Sequence, residues 1–384
     1  MDPASLEALD DYILRAIADS VAPGAALAVI RHGRLVRLRG YGRLDWDPVS
    51  AAVTPFSLYD LASLTKVVGT TSAVMLLVQE GRLGLEDPVI RYLPGFDRGD
   101  PRKGEVTIRD LLLHRSGLPA YVGFYQDLSG KAAIREAVFD LPLASEPRAE
   151  NVYSDIGFIT LAWVVEAIAG EPLDAILERR VFGPLGMADT GFLPAAMDRE
   201  RIAPTERTTA WRPYPLVGEV HDENAHALGG IAGHAGLFSS AQDLAVFAQI
   251  LLGTGFARPC DYAMGSGIPC GSESPFREVR LFREDTVDRF TVREDPEVSR
   301  ALGWDTPSGR SSAGDYLSES SFGHTGFTGT SIWIDPELEL VVVLLTNRVN
   351  PSRDNQRHIP FRRAVHDGVA TAVVDRPVER REPD

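Results

Sequence analysis

Apolar positions recur at helical spacing over about residues 4–20, then switch to two dense short runs at residues 25–30 and 34–40. That switch predicts a helix followed by a β-hairpin, with His32-Gly33 as the turn. Residues 63–79 form the next apolar stretch, predict a buried helix and stop at Gly81. Helical periodicity then dominates: residues 107–113, closed by Gly117 and Pro119, then 132–139, 155–168 and 173–181. Ser240-Ala-Gln-Asp243 carries the N-cap and acidic third position that open a helix to about Leu252. From residue 302 the pattern turns β-like, over 302–304, 321–325, 330–334 and 340–346, with a turn at Asp335-Pro-Glu337. An amphipathic helix over about residues 360–374 follows, and the polar stretch 375–384 is expected to fray. Residues 257–274 lack periodicity and are broken by Pro259, Gly265, Gly267, Pro269 and Gly271, which predicts a flexible insertion.

Strands at both ends and helices in the middle predict an α+β fold. The early hairpin pairs with the late strands in one antiparallel sheet, flanked by the N- and C-terminal helices, beside a second, mainly helical lobe. The expectation is one domain over residues 1–384, with an α/β lobe at about 1–60 and 290–375 and a helical lobe at about 61–289. The active-site cleft is expected between the lobes.

Composition narrows the partners. The chain has 384 residues, 44% of them hydrophobic, and a net charge of −15. That charge argues against nucleic acid or an anionic membrane as partner and leaves a small molecule or peptide. No run of about 18 apolar residues is present, so no transmembrane segment is expected. The acidic, amphipathic N-terminus lacks the basic start and apolar core of a signal peptide. As written the chain reads as cytoplasmic, or periplasmic or secreted where a leader has been removed. Cys260 and Cys270 lie in the unpatterned stretch, and both a local disulfide and free thiols stay open. Oligomeric state is not legible.

Ser63-Leu64-Thr65-Lys66 opens the buried helix. A spacing of three puts Ser63 and Lys66 on one face of the first turn, where unpaired N–H groups and the helix dipole favour negative charge. A serine hydroxyl becomes a nucleophile when a neighbour takes its proton, and a desolvated lysine one turn away can help. Tyr153-Ser154-Asp155 precedes another helix, and His324-Thr325-Gly326 ends a strand-like run. The order serine-lysine, tyrosine, T-G strand resembles the serine β-lactamase and penicillin-binding-protein superfamily, in its class C-like branch with DD-peptidases, D-aminopeptidases and family VIII-type esterases. The resemblance runs from about Gly24 to Val373 and includes Ile108 to Pro119 and Ala232 to Ser240.

The resemblance implies a β-lactamase/transpeptidase-like fold and a serine hydrolase acting through an acyl-enzyme on an ester, a small amide or a D-amino-acyl peptide. Ser63 would be the nucleophile, Lys66 its proton relay, and Tyr153 the partner base. The backbone N–H groups of Ser63 and Phe327 would form the oxyanion hole. His324, Thr325 and Gly326 would shape the substrate strand, and the Ala232–Gly236 loop would line the cleft opposite. His221, Asn224 and His234 would be polar contacts, with Asn350 and Arg353 where relatives hold a substrate carboxylate.

Two departures bear on activity. Asp155 stands where the family carries asparagine, so it is expected to hold Lys66 as a cation and to shift weight to Tyr153, unless it caps the following helix. His324 stands where most β-lactamases carry lysine, a weaker cation at neutral pH. Both predict a poor β-lactamase. With His324 as anchor, carboxylate-bearing substrates are expected to bind better as pH falls through about 6.5. The alternative reading is a penicillin-binding or sensing protein that acylates without turnover or has lost activity. His221-Asp-Glu-Asn-Ala-His226, with His234 nearby, lacks the spacing of a zinc motif, so neither metal nor cofactor is expected. His114, before a turn, is read as structural.

Overall fold

The computed structural model describes residues 1–253, 255–257, 279–294 and 298–382. Most of the unpatterned stretch, with Cys260 and Cys270, lies outside the described residues. The strands are β1 (Gly24–Arg31), β2 (Arg34–Gly42), β3 (Tyr59–Asp60), β4 (Gly191–Phe192), β5 (Leu237–Ser239), β6 (Phe256–Ala257), β7 (Val279–Arg280), β8 (Phe322–Thr325), β9 (Ser331–Asp335) and β10 (Leu340–Thr346). Five of them form one antiparallel sheet in the order β2-β1-β10-β9-β8. The early hairpin thus pairs with the late strands as the pattern predicts. His32 and Gly33 both take positive φ, +52° and +70°, as a two-residue hairpin turn requires.

Strands β1 and β10 are buried along their whole length, which is why their apolar runs are nearly unbroken. Ala25, Leu27 and Val29 of β1, with Leu340, Val342 and Leu344 of β10, face the terminal helices. Helix Pro3–Ala18 contributes Leu9, Ile13 and Ala16 to that layer, and helix His358–Thr371 contributes Phe361, Val365 and Val369. Each such side chain stabilises the layer by roughly 1.5–3 kcal/mol on burial. The alternate residues Ala26, Ala28, Ile30, Val341, Val343 and Leu345 face a second, larger core. Helix Ala241–Leu252, capped by Ser240, packs directly on that face of β1 and β10. Beyond it, helices Ser72–Gln79 and Asp155–Ala169 continue the same apolar cluster.

Three local expectations differ from the structure. Residues 302–304 are not a strand. Ala301 N–H donates to the Trp304 carbonyl (3.0 Å), and Gly303 (φ +86°) packs against Thr71, where a Cβ would meet Oγ1 at 2.3 Å. The apolar character there is core packing, since Trp304 is fully buried. The helix over 173–181 divides into Leu173–Leu177, a wider π turn over Glu178–Phe182, and Gly183–Leu185. The helix after Ser63 likewise opens with a π turn, Lys66–Thr71, before regular geometry over Ser72–Gln79. Among the described residues, no single helix is long and apolar enough to cross a membrane.

Candidate active site

The segment before Ser63 is fixed from several sides. Strand β3 pairs with β5, and Leu61 N–H donates to the Leu237 carbonyl (2.9 Å). The Asp60 carboxylate accepts from Ala62 N–H (2.8 Å) and His221 N–H (2.6 Å). Ala62 is held at φ +47°, a left-handed conformation unfavourable for any residue with a Cβ. That turn delivers Ser63 to the start of the helix, and the π turn that follows widens the helix at Lys66. Lys66 has no exposed surface. Its Nζ lies 3.0 Å from Ser63 Oγ, 3.0 Å from the His234 carbonyl and 2.7 Å from Asp155 Oδ1.

Tyr153 and Asp155 are set by the start of helix Asp155–Ala169. Ser154, not Asp155, is the N-cap, with its Oγ accepting from Gly157 N–H (3.1 Å) and donating to the Pro119 carbonyl (2.7 Å). Asp155 occupies the first helical position, so its carboxylate is free to reach Lys66. The contact is an ion pair, not an aligned hydrogen bond. Burial pushes Lys66 down, but the charge of Asp155 and the nearby Tyr153 hydroxyl outweigh it, and the lysine stays above its ordinary value. Tyr153 is flanked by the rings of His114 (4.5 Å) and His324 (5.9 Å). Lys66 Nζ sits 4.9 Å from its ring centre and the Arg300 guanidinium 5.5 Å. The Tyr153 hydroxyl is buried and has no hydrogen-bond partner among the described residues.

His324 is not the cation the sequence suggested. Its Nδ1–H donates to the Thr325 carbonyl (2.8 Å), and Nε2 is buried without a partner. Burial holds it well below the ordinary histidine range, and the charges of Arg300 and Lys66 add to that. It is therefore neutral, and no gain in anion binding through about pH 6.5 follows from it. His114 is neutral for the same reasons, burial first and Arg300 second. It accepts from Ser154 N–H (3.0 Å) and packs under Tyr153, so it helps set that residue's position. Arg300 is the fixed positive charge here, and sequence reasoning missed it. It stands in Val298-Ser-Arg-Ala-Leu-Gly-Trp304, where nothing in the pattern marks it. Among the described residues it pairs with Asp305, 3.6 Å away.

The loop after β8 closes against the serine. Thr328 Oγ1 donates to the Asp60 carbonyl (2.7 Å) and Thr330 Oγ1 to the Leu61 carbonyl (3.0 Å). A Cβ on Gly326 would lie 2.0 Å from Thr330 Oγ1 and 2.4 Å from the Leu61 carbonyl oxygen, so only glycine fits. Neither Ser63 N–H nor Phe327 N–H donates to a protein acceptor among the described residues. Two free backbone donors on neighbouring segments match the need of an oxyanion. Phe327 is 49% exposed at the rim.

Other expected contacts have different partners. His234 is buried behind Lys66. Its Nε2 bonds Asp222 Oδ1 (2.9 Å), and its carbonyl receives the lysine. Burial pushes Asp222 up, but His234 and Lys66 pull it below the ordinary carboxylate range. The surrounding loop, Ala232 to Gly236, is wedged between two helices. Thr70 Oγ1 donates to the Gly233 carbonyl (2.7 Å), and a Cβ on Gly233 would meet the Phe158 carbonyl at 2.1 Å. It therefore backs the lysine. His221 stacks on Phe327 (5.6 Å) and bonds Glu206 (2.9 Å). Asn224 is not a cleft contact: it clamps the neighbouring loop by donating to the Val122 carbonyl (2.8 Å) and accepting from Tyr125 N–H (3.2 Å). Asn350 is fully buried, and its carbonyl accepts from Trp46 Nε1 (2.9 Å). Arg353 is held by Glu206 (2.5 Å) and Glu223 (2.6 Å), so its charge is already matched by two acids. Neither serves as the carboxylate site the resemblance implied. Among the described residues no cluster of His, Cys, Asp or Glu could hold a metal ion.

A five-stranded antiparallel sheet, with both terminal helices on one face and helix Ala241–Leu252 on the other, and a serine, a buried lysine and a tyrosine beside it, defines a β-lactamase-like hydrolase fold. The family model described as Beta-lactamase matches residues 9–367, and the chain belongs to that family. It is 35% identical over 376 residues to the "N-acetylmuramyl-L-alanine amidase" of Bacillus subtilis (strain 168), covering 89% of this chain and 81% of that protein. It is 32% identical over 389 residues to a protein of Escherichia coli (strain K12) named "Putative D-alanyl-D-alanine carboxypeptidase", covering 92% and 85%. The class C beta lactamase of Rhodobacter sphaeroides superposes with a TM-score of 0.69 at 20% identity, over 94% of this chain and 99% of that one. That likeness shows the fold alone.

Proposed function

We propose that this chain is a serine hydrolase that cleaves amide or ester bonds through an acyl-enzyme on Ser63. One observation carries the reading: a fully buried Lys66 whose Nζ lies 3.0 Å from Ser63 Oγ, 2.7 Å from Asp155 and beneath the Tyr153 ring. Asp155 keeps the lysine protonated, so the lysine orients the serine and conducts positive charge rather than acting as a free base. Tyr153, as a phenolate that has released its own proton to solvent, then takes the Ser63 proton as Oγ bonds to the substrate carbonyl carbon. Lys66 and Arg300 both lie over the Tyr153 ring, 4.9 and 5.5 Å from its centre, and their positive charge favours the phenolate. The new oxyanion meets the N–H groups of Ser63 and Phe327. The C–N or C–O bond breaks, the leaving group takes the proton from Tyr153, and water clears the acyl group by the reverse route.

The whole chain acts as one domain, with its two lobes meeting at this site. Two relatives carry names that denote amide cleavage, one on N-acetylmuramyl-L-alanine and one on D-alanyl-D-alanine. That supports a small amide or peptide as substrate. A neutral His324 and an anionic Asp155 both disfavour β-lactam turnover. The test is burst kinetics with a p-nitrophenyl ester and mass mapping of a fluorophosphonate adduct. Steady turnover with the label on Ser63 supports the reading. A label on any other residue overturns it, and a single stoichiometric burst shows a binding or sensing protein that acylates without turning over.

A further inference from the structure

Two buried arginines stand behind the two consecutive peptides that flank Phe327. Arg348 is 2% exposed and Arg362 7%. Arg348 Nε donates to the Phe327 carbonyl (2.8 Å), and its Nη1 donates to the carbonyls of Arg353 (2.7 Å) and Asn355 (3.0 Å). Its guanidinium also covers the Phe327 ring at 4.3 Å. Arg362 Nη2 donates to the Gly326 carbonyl (3.3 Å). Among the described residues neither has an ion-paired acid, and the hydrogen bonds of both go to carbonyl oxygens. Burial, opposed by the charge of Glu206 at Arg348 and joined by the charge of Arg348 at Arg362, lowers each to about 10, so both are charged at neutral pH.

Burying an unpaired cation is unfavourable, and burying two near one another is more so. Their placement gives them a purpose. The Gly326 carbonyl and the Phe327 N–H belong to one peptide unit, so a guanidinium on that oxygen fixes the plane in which the N–H points. It also draws electron density toward the oxygen and leaves the N–H a stronger donor. That N–H has no acceptor of its own among the described residues. The two cations add a fixed positive field behind the donor that meets a tetrahedral oxyanion, with no reorganisation at the moment of reaction.

We infer that Arg362, on the Gly326 carbonyl, and Arg348, on the Phe327 carbonyl, are positioning residues that lock and polarise the two consecutive peptides flanking Phe327 and stabilise the transition-state oxyanion through the Phe327 N–H. The inference rests on the acyl-enzyme reading above. It predicts effects on kcat and on tetrahedral adducts, but not on ground-state binding. The variants are Arg362→Gln and Arg348→Gln, neutral donors, with Arg362→Lys as the charged control. The readouts are kcat and KM for a p-nitrophenyl ester and Kd for phenylboronic acid, which bonds Ser63 as a tetrahedral anion; circular dichroism confirms folding.

Each glutamine variant is expected to lose about 10–10²-fold in kcat and in boronate affinity, less than removal of a direct oxyanion donor, with KM within about threefold. Arg362→Lys recovers most of both. Should one glutamine variant fail to fold, the other carries the test. Folded glutamine variants within about twofold of wild type in kcat and boronate Kd overturn the inference alone, on the scale of a direct oxyanion donor. An Arg362→Lys as impaired as Arg362→Gln also overturns it, because shape rather than charge would then matter. A wild type that neither turns over the ester nor binds the boronate overturns the acyl-enzyme reading together with it.

Discussion

Replacing Asp155 by asparagine removes a carboxylate 2.7 Å from a lysine with no exposed surface. At that separation the attraction is about 6 kcal/mol with an effective dielectric of about 20, and about 1.5 kcal/mol with that of water. The Asp155 side chain is 21% exposed, so screening places the loss between those limits, near about 3 kcal/mol. Burial pushes Lys66 down, and Asp155 is the largest influence opposing it, so in the variant, with Tyr153 alone left to oppose burial, the lysine is expected to fall below its ordinary value. The direction with pH follows. In the wild type the folded value is raised, so the pair's contribution is fully present below the unfolded lysine value of about 10.4 and is lost only as pH rises through the folded value. In the variant the folded value lies under the unfolded one. The buried cation then destabilises at neutral pH, and the penalty fades as pH climbs toward about 10.4. With about 2.1 cal/mol/K of unfolding entropy per residue, 384 residues give about 0.8 kcal/mol/K, so about 3 kcal/mol shifts Tm by about 4 °C. The assay is the melting temperature of both proteins from about pH 6 to 9.5, a range below the unfolded lysine value. Asp155→Asn should melt about 4 °C lower at pH 7, with the gap narrowing as pH rises. A variant within about 1 °C of wild type at pH 7, with a parallel pH curve, would refute the claim that Asp155 holds Lys66 charged.

Tyr153→Phe should lose roughly 10²–10⁴-fold in kcat, the span of a general base, and far more than Asp155→Asn; a more damaging Asp155→Asn would reverse the assignment. KM for a carboxylate-bearing ester should stay flat between about pH 5.5 and 8, because His324 is held neutral well below that window; a KM that falls as pH drops through about 6.5 would show that His324 does titrate there. Gly326→Ala forces a Cβ to within 2.0 Å of Thr330 Oγ1 and 2.4 Å of the Leu61 carbonyl oxygen. It should displace the Phe327 N–H and lower kcat by about 10²-fold or more, the scale of losing one oxyanion donor. Unchanged kcat in a folded variant would remove that N–H from the mechanism.

The sequence by itself determined the main elements and which side chains are candidates for the chemistry. Short apolar runs made β1 and β10 legible as strands of one sheet, and the fold then buried both along their whole length. Ser63 and Lys66 were legible because three residues of helix bring them together whatever the rest of the chain does. Tyr153 and His324 entered through spacing against a familiar order of motifs, and the fold then places their rings 5.9 Å apart. Tertiary structure decided what depends on surroundings. The charge of His324 followed from its burial beside Arg300, 24 positions away and unmarked in the pattern. The fate of Arg353 followed from Glu206 and Glu223, acids more than a hundred residues distant, which occupy the guanidinium that the motif order offered to substrate. Asp155 became a lysine partner rather than a helix cap because Ser154 had already taken the cap. Periodicity records which face of an element is buried, and local spacing records which side chains share a turn. Protonation state and pairing depend on dielectric and on charges that only the folded chain brings within a few ångströms.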